Sequence, residues 1–233
     1  MTEAILPMRQ VSLPGLCPVD AAVAQMADSG IEERGAIFTR REVVDFILDL
    51  TGYTDDKPLH TQRLLEPSFG NGDFLLAAVE RLLRAWRTAN APLRSLIDSI
   101  RAIELHRETF TATRARLVAL LREEGLSDDD NDWLLDAWLV QGDFLLQPLP
   151  DGFHYVVGNP PYVRQERIPD ALIAEYRRQF TTVFDRADIY IPFIERSLSL
   201  LAEGGALGFI CADRWMKNRY GGPLRKMVAE GYR

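Results

Sequence analysis

The sequence predicts an α/β fold built on a doubly wound, mostly parallel β-sheet. Helical patterns alternate with short apolar strands from Phe38 onward, which is the sequence form of βαβ units. The glycine-rich and unusual polar segments follow predicted strands, where doubly wound sheets bind their ligands. A length of 233 residues, with 47% apolar and 26% charged residues, suits one such domain with a small appendage.

Composition narrows the class of protein. No apolar run approaches the roughly 20 residues of a membrane span, and the N-terminus lacks the pattern of a signal peptide, so we expect a soluble, cytoplasmic protein. Cys17 and Cys211 form no CxxC pair, which indicates free thiols in a reducing compartment. His60, His106 and His154 occur in no ligand spacing, so no metal is expected.

Two regions differ in pattern. Residues 1–30 are predicted to be an N-terminal extension with a helix over residues 20–26, and residues 31–233 to form the α/β domain. In that domain the first helix covers residues 39–50, with Thr39 as N-cap and Glu42 completing a capping box. The predicted strands cover residues 63–66, 100–105, 138–140, 155–157 and 206–211. The later predicted helices cover residues 73–86, 108–123, 189–201 and 223–230.

Two further local signals have structural interpretations. Gly204-Gly205 is predicted to stop the helix before the last strand. The acids at 128–130 and 132 follow Ser127 before an apolar run, and they lack calcium-loop spacing, so they predict a solvated helix cap rather than a metal loop.

A glycine turn, residues 66–73, joins the first strand to a helix. Gly70 and Gly72 can adopt backbone angles closed to other residues, so that a ligand can approach the main chain. The turn carries no P-loop lysine, and Glu66 precedes it, so it suits an ammonium or sulfonium group better than a phosphate. A simple strand-to-helix turn remains an equal alternative.

Acids end the next two strands. Glu104 stands where doubly wound nucleotide sites place a carboxylate against ribose hydroxyls, although a solvated carboxylate at a helix start fits as well. Asp143 precedes Phe144, a pairing that offers an acceptor for an adenine amino group beside an apolar surface. Taken alone, a turn-forming Asp after Gly142 is the better interpretation.

The motif Asn159-Pro160-Pro161-Tyr162 directly follows the fourth strand and is the sharpest signal in the sequence. The two prolines stiffen the backbone and remove two amide donors. The Asn159 amide oxygen and the Pro160 carbonyl could then both accept hydrogen bonds from one exocyclic amino group, while Tyr162 offers a ring face to a planar base. The motif therefore predicts a site that binds a substrate carrying a planar NH₂ group.

In order and spacing, these motifs resemble those of adenine-N6 DNA methyltransferases of the gamma type, found in restriction-modification and related phage-defence enzymes. The resemblance runs from about residue 35 to the C-terminus, and it implies a Rossmann-like class I S-adenosylmethionine-dependent methyltransferase. Its elements are residues 35–39, 66–73, Glu104, Asp143-Phe144, 159–162 and 188–193. Phe69 is a departure, because many relatives have a small residue there, which leaves the shape of the loop open.

The resemblance implies roles residue by residue. Thr39 and Glu66 hold the amino-acid end of S-adenosylmethionine, and Glu104 holds its ribose. The adenine is enclosed by Leu105 and Phe193, although Phe193 alone is equally typical of a helix core. The implied catalytic residues are Asn159, Pro160 and Tyr162. The implied cofactor-binding residues are Thr39, Glu66, Gly70, Gly72, Glu104, Leu105, Asp143, Phe144, Asn159, Pro161 and Phe193.

Double-stranded DNA is the partner that the resemblance implies, with the target adenine flipped out of the duplex. The net charge of −7 argues against attraction over the whole surface. We therefore expect DNA to bind mainly through a target-recognition domain that is missing from a truncated chain. RNA or protein-glutamine methylation, and a noncatalytic cofactor-binding scaffold, remain the alternatives.

Overall fold

The sheet is five-stranded and wholly parallel in the computed structural model, which describes residues 17–29 and 38–232. The strand order is β3-β2-β1-β4-β5. The strands are β1 (Leu64–Glu66), β2 (Ile100–Glu104), β3 (Leu139–Gln141), β4 (Phe153–Gly158) and β5 (Leu201–Phe209). This confirms the predicted doubly wound α/β fold. The order reverses between β1 and β4, and such a switch point opens a crevice at the carboxyl ends of the strands.

Nine α-helices in the described ranges surround this sheet. They are α1 (Pro18–Ala27), α2 (Arg41–Thr51), α3 (Asp73–Thr88), α4 (Arg107–Glu123), α5 (Asp128–Trp138), α6 (Asp170–Gln179), α7 (Tyr190–Ser199), α8 (Arg214–Lys217) and α9 (Gly222–Gly231). None of these helices is long and apolar enough to cross a bilayer. The predicted helix over residues 20–26 is confirmed as α1, whereas residues 1–16 and 30–37 lie outside the described part of the chain.

Alternation along the strands divides the core between the two faces of the sheet. Leu64 of β1 packs with α2 to α5, and its neighbour Leu65 packs with α1, α6 and α7. Tyr155 and Val156 of β4 divide in the same way, because successive side chains of a strand point to opposite faces. Both faces are therefore covered, and the carboxyl edge of the sheet is the surface on which a ligand site can open.

One boundary of α5 differs from the sequence prediction, and the other agrees with it. Trp138 ends α5 instead of beginning a strand, because Leu134, Leu135 and Trp138 bury one helical face and the Trp138 indole donates to the Leu96 carbonyl at 2.8 Å. Ser127 caps α5 by accepting a hydrogen bond from the Asp130 amide, which confirms the helix-cap interpretation of the acidic run.

The predicted helix stop at Gly204-Gly205 is wrong. The α7 helix ends earlier, at Ser199, and both glycines lie within β5 at an irregularity in its pairing with β4. Gly204 has φ +75°, and a Cβ on Gly205 would lie 2.9 Å from the Phe153 carbonyl oxygen. The glycine pair therefore serves a bulge between two strands, where the backbones approach closely.

Thr39 is not the N-cap of α2, contrary to the sequence prediction. The cap residue is Arg40, which makes no side-chain capping bond. The Thr39 amide instead donates to Oδ2 of Asp73 at 2.7 Å. This contact draws Thr39 toward the carboxyl edge of the sheet, so the helix begins after Arg40.

Candidate functional site

A cleft of about 300 Å³ opens at the carboxyl ends of the parallel strands. Ten of the thirteen residues proposed from the sequence line this cleft. They are Thr39, Glu66, Gly70, Glu104, Leu105, Asp143, Phe144, Asn159, Pro161 and Phe193. Residues at the ends of β1 and β2, or directly after β3 and β4, thus line one space, as the switch-point topology requires.

Three of the proposed residues lie outside the lining of the cleft. Gly72, at φ +81°, is the N-cap of α3, and Pro160 is buried. Tyr162 is half-buried, with its ring centroid 5.7 Å from that of Tyr190. Its hydroxyl donates to the Ile210 carbonyl at 3.2 Å. The structure therefore places the motif's tyrosine beside the cleft and not within it.

The acidic end of the cleft is formed by Glu66 and Asp73. Glu66 is buried, and no hydrogen-bond partner within the described ranges reaches its Oε2. Burial raises the pKa of Glu66 well above its ordinary value, and the nearby Asp73 and Glu104 carboxylates act in the same direction. A cationic group entering here would compensate the Glu66 charge, so this end of the cleft suits an ammonium or sulfonium group.

Glu104 joins the glycine turn to the beginning of α4. Its Oε2 accepts from the Gly70 amide and its Oε1 from the His106 amide, both at 2.8 Å. Only 3% of Glu104 is exposed, so the alternative of a solvated helix-start carboxylate is wrong. A carboxylate offers about four lone-pair positions, so Glu104 also has acceptor capacity for ligand hydroxyls.

Gly70 has φ +50°, in the left-handed region. Its carbonyl accepts from the hydroxyl of Thr113 at 2.7 Å. Phe69, which departs from the family pattern, is buried with its ring centroid 5.7 Å from that of Phe110. The larger side chain therefore packs into the core beside α4, and Phe69 also lines the cleft.

The other end of the cleft is apolar, with one buried acid at its edge. The ring centroids of Phe144 and Phe193 lie 4.9 Å apart, and Leu105 lines the same space. Asp143 accepts at Oδ1 from the Leu145 amide at 2.8 Å, and the Tyr176 hydroxyl donates to its Oδ2. A flat heteroaromatic ring with a donor group on one edge matches these surroundings.

Asn159 lies at the acidic end. Its Nδ2 donates to Oγ1 of Thr39 at 3.2 Å, and Thr39 in turn is bonded through its amide to Asp73. Because the amide group carries both donor and acceptor atoms, Oδ1 can accept from a ligand while Nδ2 bonds Thr39. The Ile210 amide, which donates to the Gly158 carbonyl at 3.1 Å, ties the backbone before Asn159 to β5.

Sequence reasoning missed several residues that line the cleft. Asp73 carried a usable signal, because it is an acid in the first turn of the helix that follows the glycine turn. Met26 and Tyr176 carried none, since tertiary packing brings α1 and α6 over the apolar end. The other missed lining residues are Phe38, Pro67, Ser68, Phe69, Asn71, Phe74, His106, Thr109, Gly142, Val163, Ile168 and Ile189.

Comparison with known proteins identifies the family. Residues 85–233, more than half of the chain, match the model of the Eco57I restriction-modification methylase family. The chain belongs to this family. The Type II methyltransferase M.PaeR7I of Pseudomonas aeruginosa is 64% identical over 93% of this chain and 38% of its own length. M.XhoI of Xanthomonas vasicola is 55% identical over 86% of this chain and 38% of its own length. The chain thus spans about two-fifths of these relatives.

Solved structures show that this chain has the fold of class I S-adenosylmethionine-dependent methyltransferases. A Listeria monocytogenes protein described as such an enzyme superimposes with a TM-score of 0.58 at 14% identity, over 90% of this chain and 56% of its own. A methyltransferase subunit of a type I restriction-modification system from Streptococcus thermophilus gives 0.58 at 16% identity, over 95% of this chain and 45% of its own. This agrees with the predicted Rossmann-like fold.

Proposed function

We propose that the chain binds S-adenosylmethionine in the cleft and transfers its methyl group to the N6 amino group of adenine in DNA, as part of a restriction-modification system. The observation that carries this proposal is the link from Asn159 through Thr39 to Asp73. The link joins the amide expected to receive the target amine to the acidic end, which suits a sulfonium group. Family membership and the M.PaeR7I relative support the same reaction.

The two ends of the cleft fit the two ends of this cofactor. Glu66 and Asp73 would hold the ammonium of the amino-acid end, and Glu104 the ribose hydroxyls. Phe144 and Phe193 would hold the adenine, with Asp143 accepting from its amino group. The match rests on Oε2 of Glu66, which has no hydrogen-bond partner within the described part of the chain, because a buried carboxylate oxygen without a donor is unfavourable unless a ligand cation reaches it.

The role of the catalytic residues follows from the chemistry of the target amine. Its lone pair is delocalised into the purine ring, so the nitrogen is a poor nucleophile. Oδ1 of Asn159 and the carbonyl of Pro160 accept hydrogen bonds from its two N–H groups and favour a more tetrahedral nitrogen, which releases one of these protons to water once it carries the methyl group. When bound, the cofactor supplies an electrophilic methyl group. Positioning and fixed dipoles therefore perform the catalysis, without a covalent intermediate on the chain.

Double-stranded DNA is the proposed substrate. An adenine within a duplex cannot reach a cleft at a sheet edge, so the base must be flipped out, at a cost of about a few kcal/mol. Tyr162 is proposed to stack on the flipped base, its ring supported by Tyr190 and its hydroxyl by Ile210. An adenine-specific methyltransferase of Streptomyces coelicolor, 25% identical to this chain, supports adenine as the target base.

A methyl-transfer assay tests this proposal. The chain is incubated with methyl-labelled S-adenosylmethionine and either duplex DNA, RNA or protein, and the labelled product is identified after digestion. We expect label in N6-methyladenine of DNA, at a low rate and without sequence preference, because the net charge of −7 gives little general attraction to phosphates. Label confined to RNA or glutamine would replace the substrate, and a folded chain that binds no cofactor would favour a noncatalytic module.

The variant Asn159→Ala tests whether Asn159 has the proposed catalytic role. Loss of one acceptor that acts in the transition state lowers the rate of methyl transfer by about 100-fold or more. Cofactor affinity should stay close to that of the parent chain, because Asn159 acts on the target amine. Turnover near that of the parent chain would remove Asn159 from the mechanism.

A further inference from the structure

Asp143 and Tyr176 form a buried pair at the apolar end of the cleft, and both residues line it. Asp143 follows β3, whereas Tyr176 comes from α6, beyond the Asn159 motif. The exposed fractions of both residues are 4%, so their hydroxyl-to-carboxylate hydrogen bond is shielded from water. Such a bond is worth more than an exposed one, because a buried carboxylate without donors carries the full cost of desolvation.

Both oxygens of the Asp143 carboxylate act as acceptors. Oδ1 accepts from the Leu145 amide at 2.8 Å, and Oδ2 accepts from the Tyr176 hydroxyl. Burial raises the pKa of Asp143, while Tyr176, the Leu145 amide and the charge of Arg196 act in the opposite direction. The donors therefore favour the ionised form of Asp143, which offers a ligand only acceptor positions.

The supporting groups fix this geometry. Arg196 of α7 donates to the Phe144 carbonyl and lies 5.0 Å from the centroid of the Phe144 ring. The α6 helix packs against α1, whose Met26 lines the same cleft. Tyr176 consequently reaches Asp143 from α6, an element separate from the strand that Asp143 follows.

We propose that Tyr176 is a positioning residue that holds Asp143 as an acceptor and thereby makes the cleft select a 6-aminopurine over a 6-oxopurine. This inference rests on the proposed cofactor site and goes beyond it by naming the residue that sets the selectivity for the purine ring of the cofactor. An ionised Asp143 accepts from the amino group of adenine but repels the oxo group of hypoxanthine. Without the Tyr176 hydroxyl, burial would favour protonated Asp143, which can donate to that oxo group.

Tyr176→Phe tests the inference, because it removes one oxygen and leaves the ring. The ligands are S-adenosylhomocysteine and S-inosylhomocysteine. The second has an oxo group in place of the amino group at position 6 of the purine, and a hydrogen on N1. We expect the ratio of their dissociation constants to fall by about 10-fold or more, as for loss of a hydrogen bond to a charged group. Most of the change should be weaker binding of the adenosyl ligand.

Tyr53→Phe is the matched control. Tyr53 is also fully buried, but its hydroxyl donates to the Ala78 carbonyl at 3.4 Å in the core of the other face of the sheet. Its variant should keep the parental ratio. An unchanged ratio in Tyr176→Phe, or equal weakening of both ligands, would overturn the specificity role. A folded parent chain that binds neither ligand would overturn the cofactor site itself.

Discussion

A buried carboxylate destabilises the fold that holds it unless a cation offsets its charge, and among the described residues the charges that act on the buried Glu66 are those of Asp73 and Glu104. In the folded chain its pKa is raised, so the folded state binds more protons than the unfolded state above the ordinary pKa of 4.5. The stability that this group contributes is present below that value and is lost as the pH rises through the folded-state pKa. Cofactor binding would require the ionised form, so function and stability place opposite demands on Glu66.

Glu66→Gln should therefore stabilise the ligand-free chain at neutral pH and weaken S-adenosylmethionine binding. The gain in melting temperature should grow as the pH rises from about 4 to about 7, because glutamate at position 66 can ionise and glutamine cannot. Each kcal/mol corresponds to about 2–4 °C in a chain of this size. Thermal unfolding across this pH range measures the effect. Glu123→Gln, at an exposed position on α4, should show no such gain, and a loss of stability in Glu66→Gln at neutral pH would contradict the account.

At the scale of elements, the glycine turn between β1 and α3 leaves its backbone accessible from the cleft. Gly72 has φ +81°, and a Cβ there would lie 2.7 Å from Cγ2 of Thr113. Thr113 is itself buried and bonded to the Gly70 carbonyl, so it cannot move without releasing the turn. The turn and α4 therefore form one packed unit.

Gly72→Ala should destabilise the chain by more than Gly125→Ala. Gly125 has φ +82° with open space around its Cβ direction, so alanine there incurs only left-handed backbone strain of about 1–2 kcal/mol. Gly72→Ala adds overpacking of about 1–3 kcal/mol and should also weaken cofactor binding. Denaturant unfolding of the two variants separates the terms. Equal losses would show that the contact with Thr113 relaxes freely.

Local sequence was sufficient for elements whose signal is local. Short apolar strands between helical patterns predicted the sheet, and the motifs together with the family resemblance predicted ten residues that line the cleft. Tyr176 was missed because its position depends on how α6 packs, which leaves no trace in nearby residues. Gly204-Gly205 was misassigned because a helix stop and a strand bulge both use glycine, and only the pairing with β4 distinguishes them.

At the scale of the whole molecule, the net charge bears on DNA binding and the cleft bears on cofactor binding, so the two can be considered separately. The chain has 34 acidic and 27 basic residues, a net charge of −7, so general attraction to phosphates is weak. The relatives M.PaeR7I and M.XhoI are more than twice as long as the part that this chain matches. The cleft, in contrast, is lined by residues at or directly after the ends of four strands of this chain, so cofactor binding can be measured on it directly.

Calorimetric titration of residues 1–233 with S-adenosylmethionine tests the central claim, that the cleft at the carboxyl edge is a cofactor site. We predict one-to-one binding, weakened by about 1–3 kcal/mol in Glu104→Ala, because the ribose hydroxyls lose a charged acceptor. Glu123→Gln should bind as the parent chain does. Absence of binding by a chain whose circular dichroism shows it to be folded, or unchanged affinity in Glu104→Ala, would contradict the account.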